Sequence, residues 1–183
     1  MRLNSGGVLT PSEFYANSLD KNMQGVYTTM ELRLIRHATM LLSLGATKLL
    51  VDPIFSPAGA MPPIDNSSND RRNPLVELPL SESELRNVDA VLLTHTHKDH
   101  FDGAAAKSLA KDTTIFCQVA DEQKLKELGF SQVKPISDVL IWNGARLIRT
   151  DGEHGTGIIG QKMGPVYRLC NYKSRRTDYL YHW

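Results

Sequence analysis

Short apolar runs recur along this chain at two spacings, and they lay out a succession of strands and helices. Glu31-Leu-Arg-Leu-Ile-Arg36 alternates polar and apolar side chains, the two-residue period of a strand with one buried face. Met40–Leu44 and Lys48–Val51 run apolar on either side of Gly45-Ala46-Thr47, so a meander of three short strands is expected. Val88-Asp-Ala-Val-Leu-Leu93 reads as a buried strand. Before it, Ser81-Glu-Ser-Glu84 has the spacing of a capping box and predicts one or two helical turns. After it come a helix over Gly103–Lys111, a strand over Thr113–Val119, and a second helix over Asp121–Leu128 with Gly129 as its left-handed stop. Val133–Ile136 and Val139–Trp142 read as strands, and Asn143-Gly144 supplies a tight turn into Ala145–Thr150. Strands flanked by helices, with hairpins before and after, predict a layered α/β (α+β) arrangement.

Between these elements, Asp52 to Pro79 forms a long irregular segment holding six of the nine prolines. A loop of that length inside a domain is usually functional or disordered. Its Arg71-Arg72 pair could meet an anionic substrate, although a solvated basic pair is the more ordinary reading. Residues 1–29 mix Gly, Ser, Asn and Thr with scattered apolar residues and show no period. They are expected to be a poorly ordered extension, or to precede a natural start at Met30.

With 183 residues there is room for one domain. A hydrophobic content of 41%, a charged content of 22% and a net charge of +1 are ordinary for a globular protein. They give no drive toward nucleic acid or an anionic membrane. No stretch approaches the apolar length of a membrane span. Cys117 and Cys170 are too few for a disulfide framework, and a cytoplasmic location is expected.

The chemistry concentrates in Thr94-His-Thr-His-Lys-Asp-His-Phe-Asp102, directly after the Val88–Leu93 run. His95 and His97 are two apart, so on an extended backbone they project to one side. Asp99 and His100 follow where the chain must turn. Five candidate ligands in eight residues, positions 95 to 102, are hard to explain as exposed polar decoration. Imidazole and carboxylate together suit zinc, with iron and manganese as alternatives. Asp99 could also orient a water and take its proton. Asp102 is expected to orient a ligand or brace the loop, and Asp52, at a strand end before Pro53, invites the same reading. His37 in Arg36-His-Ala-Thr39 could line the cleft, with packing an equal alternative.

His95-Thr-His-Lys-Asp-His-Phe-Asp102 resembles the His-x-His-x-Asp-His signature of the metallo-β-lactamase superfamily. The resemblance runs from about Met30 to Val166. The opening hairpin is similar, Gly152-Glu-His-Gly155 resembles the next metal-ligand block, and Gly160–Pro165 the loop after it. The branch of ascorbate-6-phosphate lactonase-like hydrolases is the most similar. The resemblance implies the N-terminal portion of an αββα sandwich, with a mixed sheet flanked by helices. It implies that His95, His97 and His154 hold one metal, and that Asp99 and His100 begin a second position. Three nitrogens leave a fourth tetrahedral place to water, the arrangement of a catalytic rather than a structural zinc. Such an ion lowers the pKa of its water from about 15.7 to about 7. One or two Zn2+ ions are expected, with Mn2+ or Fe2+ as alternatives.

After Val166 the likeness stops, and Tyr167–Trp183 is polar, basic and aromatic where an apolar strand pair is expected. Shifting the reading frame by one nucleotide turns suitable codons for Arg168–Lys173 into Gly-Phe-Val-Ile-Thr-Lys. The same shift turns Tyr181-His-Trp183 plus a UGA stop into Ile-Thr-Gly-Asp. The family's bridging aspartate lies in such a Gly-Asp. The expected organisation is therefore an extension over 1–29, an incomplete metallo-β-lactamase-like domain over 30–166, and an aberrant tail over 167–183. The expected function is metal-dependent hydrolysis of a small ester, lactone, phosphoester or amide. The alternative is a truncated, catalytically impaired remnant binding at most one metal firmly. A nucleic-acid-processing role is disfavoured by the absence of a basic stripe with aromatics.

Overall fold

A computed structural model of the protein describes residues 30–63, 69–143, 145–153 and 165–171. Among the described residues, nine strands run in chain order: β1 Met30–Arg36, β2 Thr39–Leu44, β3 Thr47–Val51, β4 Ala90–Leu92, β5 Thr114–Gln118, β6 Gln132–Ile136, β7 Val139–Trp142, β8 Ala145–Glu153 and β9 Pro165–Asn171. Three short helices, α1 Glu82–Arg86, α2 Gly103–Ser108 and α3 Glu122–Glu127, connect β3 to β4, β4 to β5 and β5 to β6 in turn.

Strands β1 to β6 form one mixed sheet in sequence order. The β1–β2 and β2–β3 pairs are antiparallel, while β3–β4, β4–β5 and β5–β6 are parallel. Strands β7 to β9 make a separate antiparallel sheet. The expected boundary between residues 166 and 167 falls inside β9, which pairs with β8 from Pro165 to Asn171.

Alternation along the parallel strands decides the layers. Leu50, Val91, Ile115 and Cys117 point to one face, where they meet Leu85 of α1, Ala105 and Ala106 of α2, and Leu125 of α3. Their neighbours Leu49, Val51, Ala90, Leu92 and Phe116 point to the other face, and pack with Leu140, Trp142 and Leu147 of the second sheet. Burial on both faces explains why these strands read as continuous apolar runs rather than alternating ones. Phe116 is fully buried and meets the Trp142 ring edge-on at a centroid distance of 4.9 Å, which joins the sheets. Helices, mixed sheet and second sheet stack in that order, a mixed α/β architecture.

Local signals set the element ends. Ser81 accepts from the Glu84 backbone, and Glu84 answers on the Ser81 backbone, closing the anticipated capping box. The Ser81 hydroxyl, and then its backbone amide, donate to the Glu84 carboxylate and hold it below its ordinary range. Gly129 follows α3 at φ +89°, a conformation that a Cβ disfavours. Helix α2 ends at Ser108, short of the expected Lys111, because buried Leu109 takes an extended backbone and turns into the core. No helix among the described residues is long and apolar enough to cross a membrane.

Cys117 lies in the helix-side core at 2% exposure. Burial, then the charges of Asp121 and Glu122, push its thiol up to about 12. Only the thiolate alkylates. Peptide mapping after iodoacetamide is therefore expected to find Cys117 unmodified in the native protein and modified in denaturant. Rapid native labelling at that position contradicts this burial.

Candidate metal centre

The parallel strands β3, β4 and β5 deliver their C-terminal ends to one edge of the mixed sheet, and the candidate residues lie on the segments that leave it. Open α/β sheets bind ligands at this edge, because the chain there is released from the ladder. Asp52 follows β3, Thr94 to Asp102 follow β4, and Gln118 to Asp121 follow or close β5. The β1–β2 turn, with His37 at φ +51°, comes back to the same edge.

Leu93 still donates to the Phe116 carbonyl at 2.8 Å, so the segment leaves β4 in register with its neighbour. The chain then turns: the amides of His100 and Phe101 both donate to the His97 carbonyl, at 2.9 and 2.8 Å. That turn folds His100 back over His95, with ring centroids 3.9 Å apart. Ligand atoms of His95, Asp99 and His100 all lie within 4.8 Å of one another. Two ligands on one ion, each about 2.1 Å from it, stand roughly 3 to 4 Å apart. The span and the donor set of two imidazoles and a carboxylate thus fit a divalent cation such as zinc, manganese or iron.

His97 is outside that group of three, but its ring meets His95 edge-on with centroids 4.6 Å apart. His95 therefore neighbours both His97 and the Asp99–His100 pair. His154, the expected third nitrogen for the first position, lies outside the described residues.

Asp52 sets the orientation of the centre. At 2% exposure its carboxylate accepts the Thr94 amide at 2.8 Å, the Thr94 hydroxyl at 2.6 Å and the His100 Nδ1 hydrogen at 2.8 Å. An imidazole that donates Nδ1–H to a carboxylate presents Nε2 to a metal. Burial works against the charged form of His100, yet the hydrogen bond and charge of Asp52, joined by Asp99, outweigh it and raise its pKa above the ordinary histidine value. The Thr94 oxygen also stands 3.1 Å from Nδ1 of His95 and 3.3 Å from Nδ1 of His100. One hydroxyl so touches both rings, and the sequence reading had passed over it.

Asp102 faces away from the ligands. It caps α2 by accepting the Ala105 amide at 2.8 Å, and it accepts the amides of Phe55 and Ser56 at 3.2 and 2.8 Å. It braces the loop. His37 is exposed, and its pKa is lowered by burial against the charge of Asp99 and then by the charges of His100 and Arg36. Its ring lies on the β1–β2 turn, outside the buried core.

Other groups that sequence reasoning missed sit behind the centre. Arg36 is 3% exposed and donates to the carbonyls of Ile54 and Val76 at 2.9 Å each, and to that of Ser56. Arg72 is exposed, and it donates to the Gly59 and Ala60 carbonyls at 2.6 and 3.1 Å across its own loop. Thr96, between the two histidines, joins a buried network with Asp121.

The family profile of the beta-lactamase superfamily domain matches residues 47–155, which span the centre from β3 through β8. The chain belongs to the metallo-β-lactamase superfamily. The UPF0173 protein YddR of Bacillus subtilis (strain 168) is 35% identical over 147 residues, covering 76% of this chain and 58% of that protein. An isothiocyanate hydrolase from Delia radicum gut bacteria has a similar structure, with TM-score 0.72 and 33% identity over 78% of this chain and 58% of its own. A "possible metal-dependent hydrolase" from Veillonella parvula DSM 2008 matches with TM-score 0.73 and 35% identity over 80% of this chain and 59% of its own. This member of the superfamily thus spans under two thirds of the length of each of these relatives.

Proposed function

We propose that this chain carries the metal centre of a hydrolase acting on a small molecule with an electrophilic carbonyl-like carbon or phosphorus. Esters, lactones, phosphoesters and amides are the candidate substrates, and the isothiocyanate hydrolase among the structural relatives adds a cumulated C=N carbon to that class. The observation that carries the reading is the convergence of His95, Asp99 and His100 within 4.8 Å, at the C-terminal edge of the parallel strands.

His95, Asp99 and His100 would hold one divalent ion, and His97 would share His95's side of a second. Zinc is the first choice, with manganese and iron as alternatives. When bound, such an ion polarises the substrate oxygen and acidifies a water. The chain's own residues supply the rest. Asp52 keeps the Nδ1 hydrogen of His100, so that ring cannot rotate out of the centre. Thr94 restrains both rings from behind. Asp99, with 43% of its side chain exposed, can reach a water at the mouth and take its proton on the carboxylate. A cytoplasmic enzyme is the proposed setting, and the buried thiol of Cys117 suits a reducing compartment.

The test is metal content and turnover together. Protein stripped of metal and reloaded separately with zinc, manganese or iron(II) is expected to retain bound ion after gel filtration. It is expected to hydrolyse at least one member of an ester, lactone, phosphodiester and isothiocyanate panel. The double variant His95→Ala, His100→Ala is expected to lose both properties while staying folded by circular dichroism. Equal metal retention by wild type and double variant would remove the proposed centre. Retention without turnover would favour the impaired remnant.

A further inference from the structure

We infer that Asp121 and Lys124, at the corner where β5 runs into α3, are positioning residues that clamp Thr96 and so hold His95 and His97 in ligand geometry. The inference rests on the metal-centre reading and adds residues that lie behind the centre. Thr96 is 5% exposed, and its hydroxyl donates to Asp121 Oδ1 at 2.6 Å. Gln118 Nε2 occupies the other oxygen, Oδ2, at 2.7 Å. The Lys124 Nζ ammonium donates to the Thr96 carbonyl at 2.8 Å and to its Oγ1 at 2.9 Å.

Two features separate this from incidental packing. Asp121 stands at the N-cap of α3, where an aspartate ordinarily accepts a backbone amide of the first turn. It makes no side-chain cap bond, and its carboxylate turns to Thr96 and Gln118 instead. Secondly, the clamp grips one residue from both its carbonyl and its side chain, and the neighbours on either side of that residue are the two histidines. In an extended segment the side chain of Thr96 projects opposite to those of His95 and His97. Fixing the threonine backward therefore aims both imidazoles forward. The Thr94–Asp52 bonds hold the same segment on the other side of His95 in sequence.

The experiment measures cobalt(II) affinity by competition with a chromogenic chelator, expressed per folded molecule, with the cobalt ligand-field spectrum and the unfolding midpoint of the metal-free protein. Thr96→Val removes the hydroxyl at nearly constant shape, and Lys124→Met removes the outer donor from a site where loss of the fold is not expected. Both are expected to weaken cobalt binding about 10- to 100-fold, the usual cost of losing a group that orients ligands, and to alter the spectrum. Thr96→Ser keeps the hydroxyl and is expected to bind like wild type. Unchanged affinity and spectrum in Thr96→Val and Lys124→Met overturn the clamp, even if the midpoint falls, since that result means a purely structural role. Wild-type protein that binds cobalt no better than His95→Ala removes the metal centre itself and the clamp with it.

Discussion

Asp52→Ala is expected to weaken divalent-metal binding about 10- to 100-fold and to destabilise the metal-free protein by about 3–5 kcal/mol. The two effects have separate origins. The affinity loss comes from His100, whose ring is held by the 2.8 Å bond from Nδ1 to the Asp52 carboxylate. Released, the imidazole can take either tautomer and several rotamers, and only one combination presents Nε2 to an ion. The stability loss comes from the Thr94 amide and hydroxyl, both buried and both donating to this carboxylate, at 2.8 and 2.6 Å. Each buried polar group left without its partner costs about 1–3 kcal/mol. Asp52→Asn separates the two. Its amide oxygen can still accept from Thr94, but its NH2 cannot accept from His100, so most of the stability should return without the affinity. Denaturant unfolding of metal-free protein and chelator competition read the two effects independently. Wild-type affinity in Asp52→Asn would show that His100 needs no carboxylate to find its orientation.

The architecture was legible because it is written in local signals. Leu49-Leu50-Val51 and Ile115-Phe116-Cys117 place alternate residues in the two cores, and an unbroken apolar run is what such a strand must show. The capping box at Ser81, the glycine stop after α3 and the expected strands over the β1–β7 region all depend on neighbours within a few residues. The candidate ligand cluster was legible for the same reason, since His95, Asp99 and His100 lie within six residues of sequence. What stayed hidden depends on distant partners. Arg36 bonds the carbonyls of Ile54, Ser56 and Val76, as far as 40 positions away, and an arginine at a strand end carries no local mark of that role. Asp121 reads only as the first residue of the second expected helix, yet its carboxylate finds Thr96, 25 residues earlier. The sorting of His95 with His97 came from their spacing and from the family resemblance. The turn at His97 also brings Asp99 and His100 close to the His95 imidazole, a proximity that spacing does not show.

Arg36→Ala should be the other costly substitution, about 3–5 kcal/mol, with a functional signature different from that of Asp52. The guanidinium ends β1 inside the fold at 3% exposure and ties three carbonyls of the Asp52–Pro79 segment to one point. Burial lowers its pKa, and the charges of Asp102 and Glu77 pull it back up. Arginine remains a cation in proteins at any working pH. Removing it leaves three carbonyls without their donor and takes away a cation that attracts buried Asp102. Lysine is no substitute, because one ammonium cannot present donors in the planar fork that spans Ile54, Ser56 and Val76. Arg36→Lys should therefore recover only a minor part of the stability. None of the three carbonyls belongs to a proposed metal ligand. Metal affinity per folded molecule should accordingly stay near wild type, while limited proteolysis between Ile54 and Pro79 accelerates and the KM for any turned-over substrate rises. Loss of metal binding in folded Arg36→Ala, with proteolysis unchanged, would mean that the arginine supports the ligand turn and that other bonds, those of Asp102 and Thr39 among them, hold the loop.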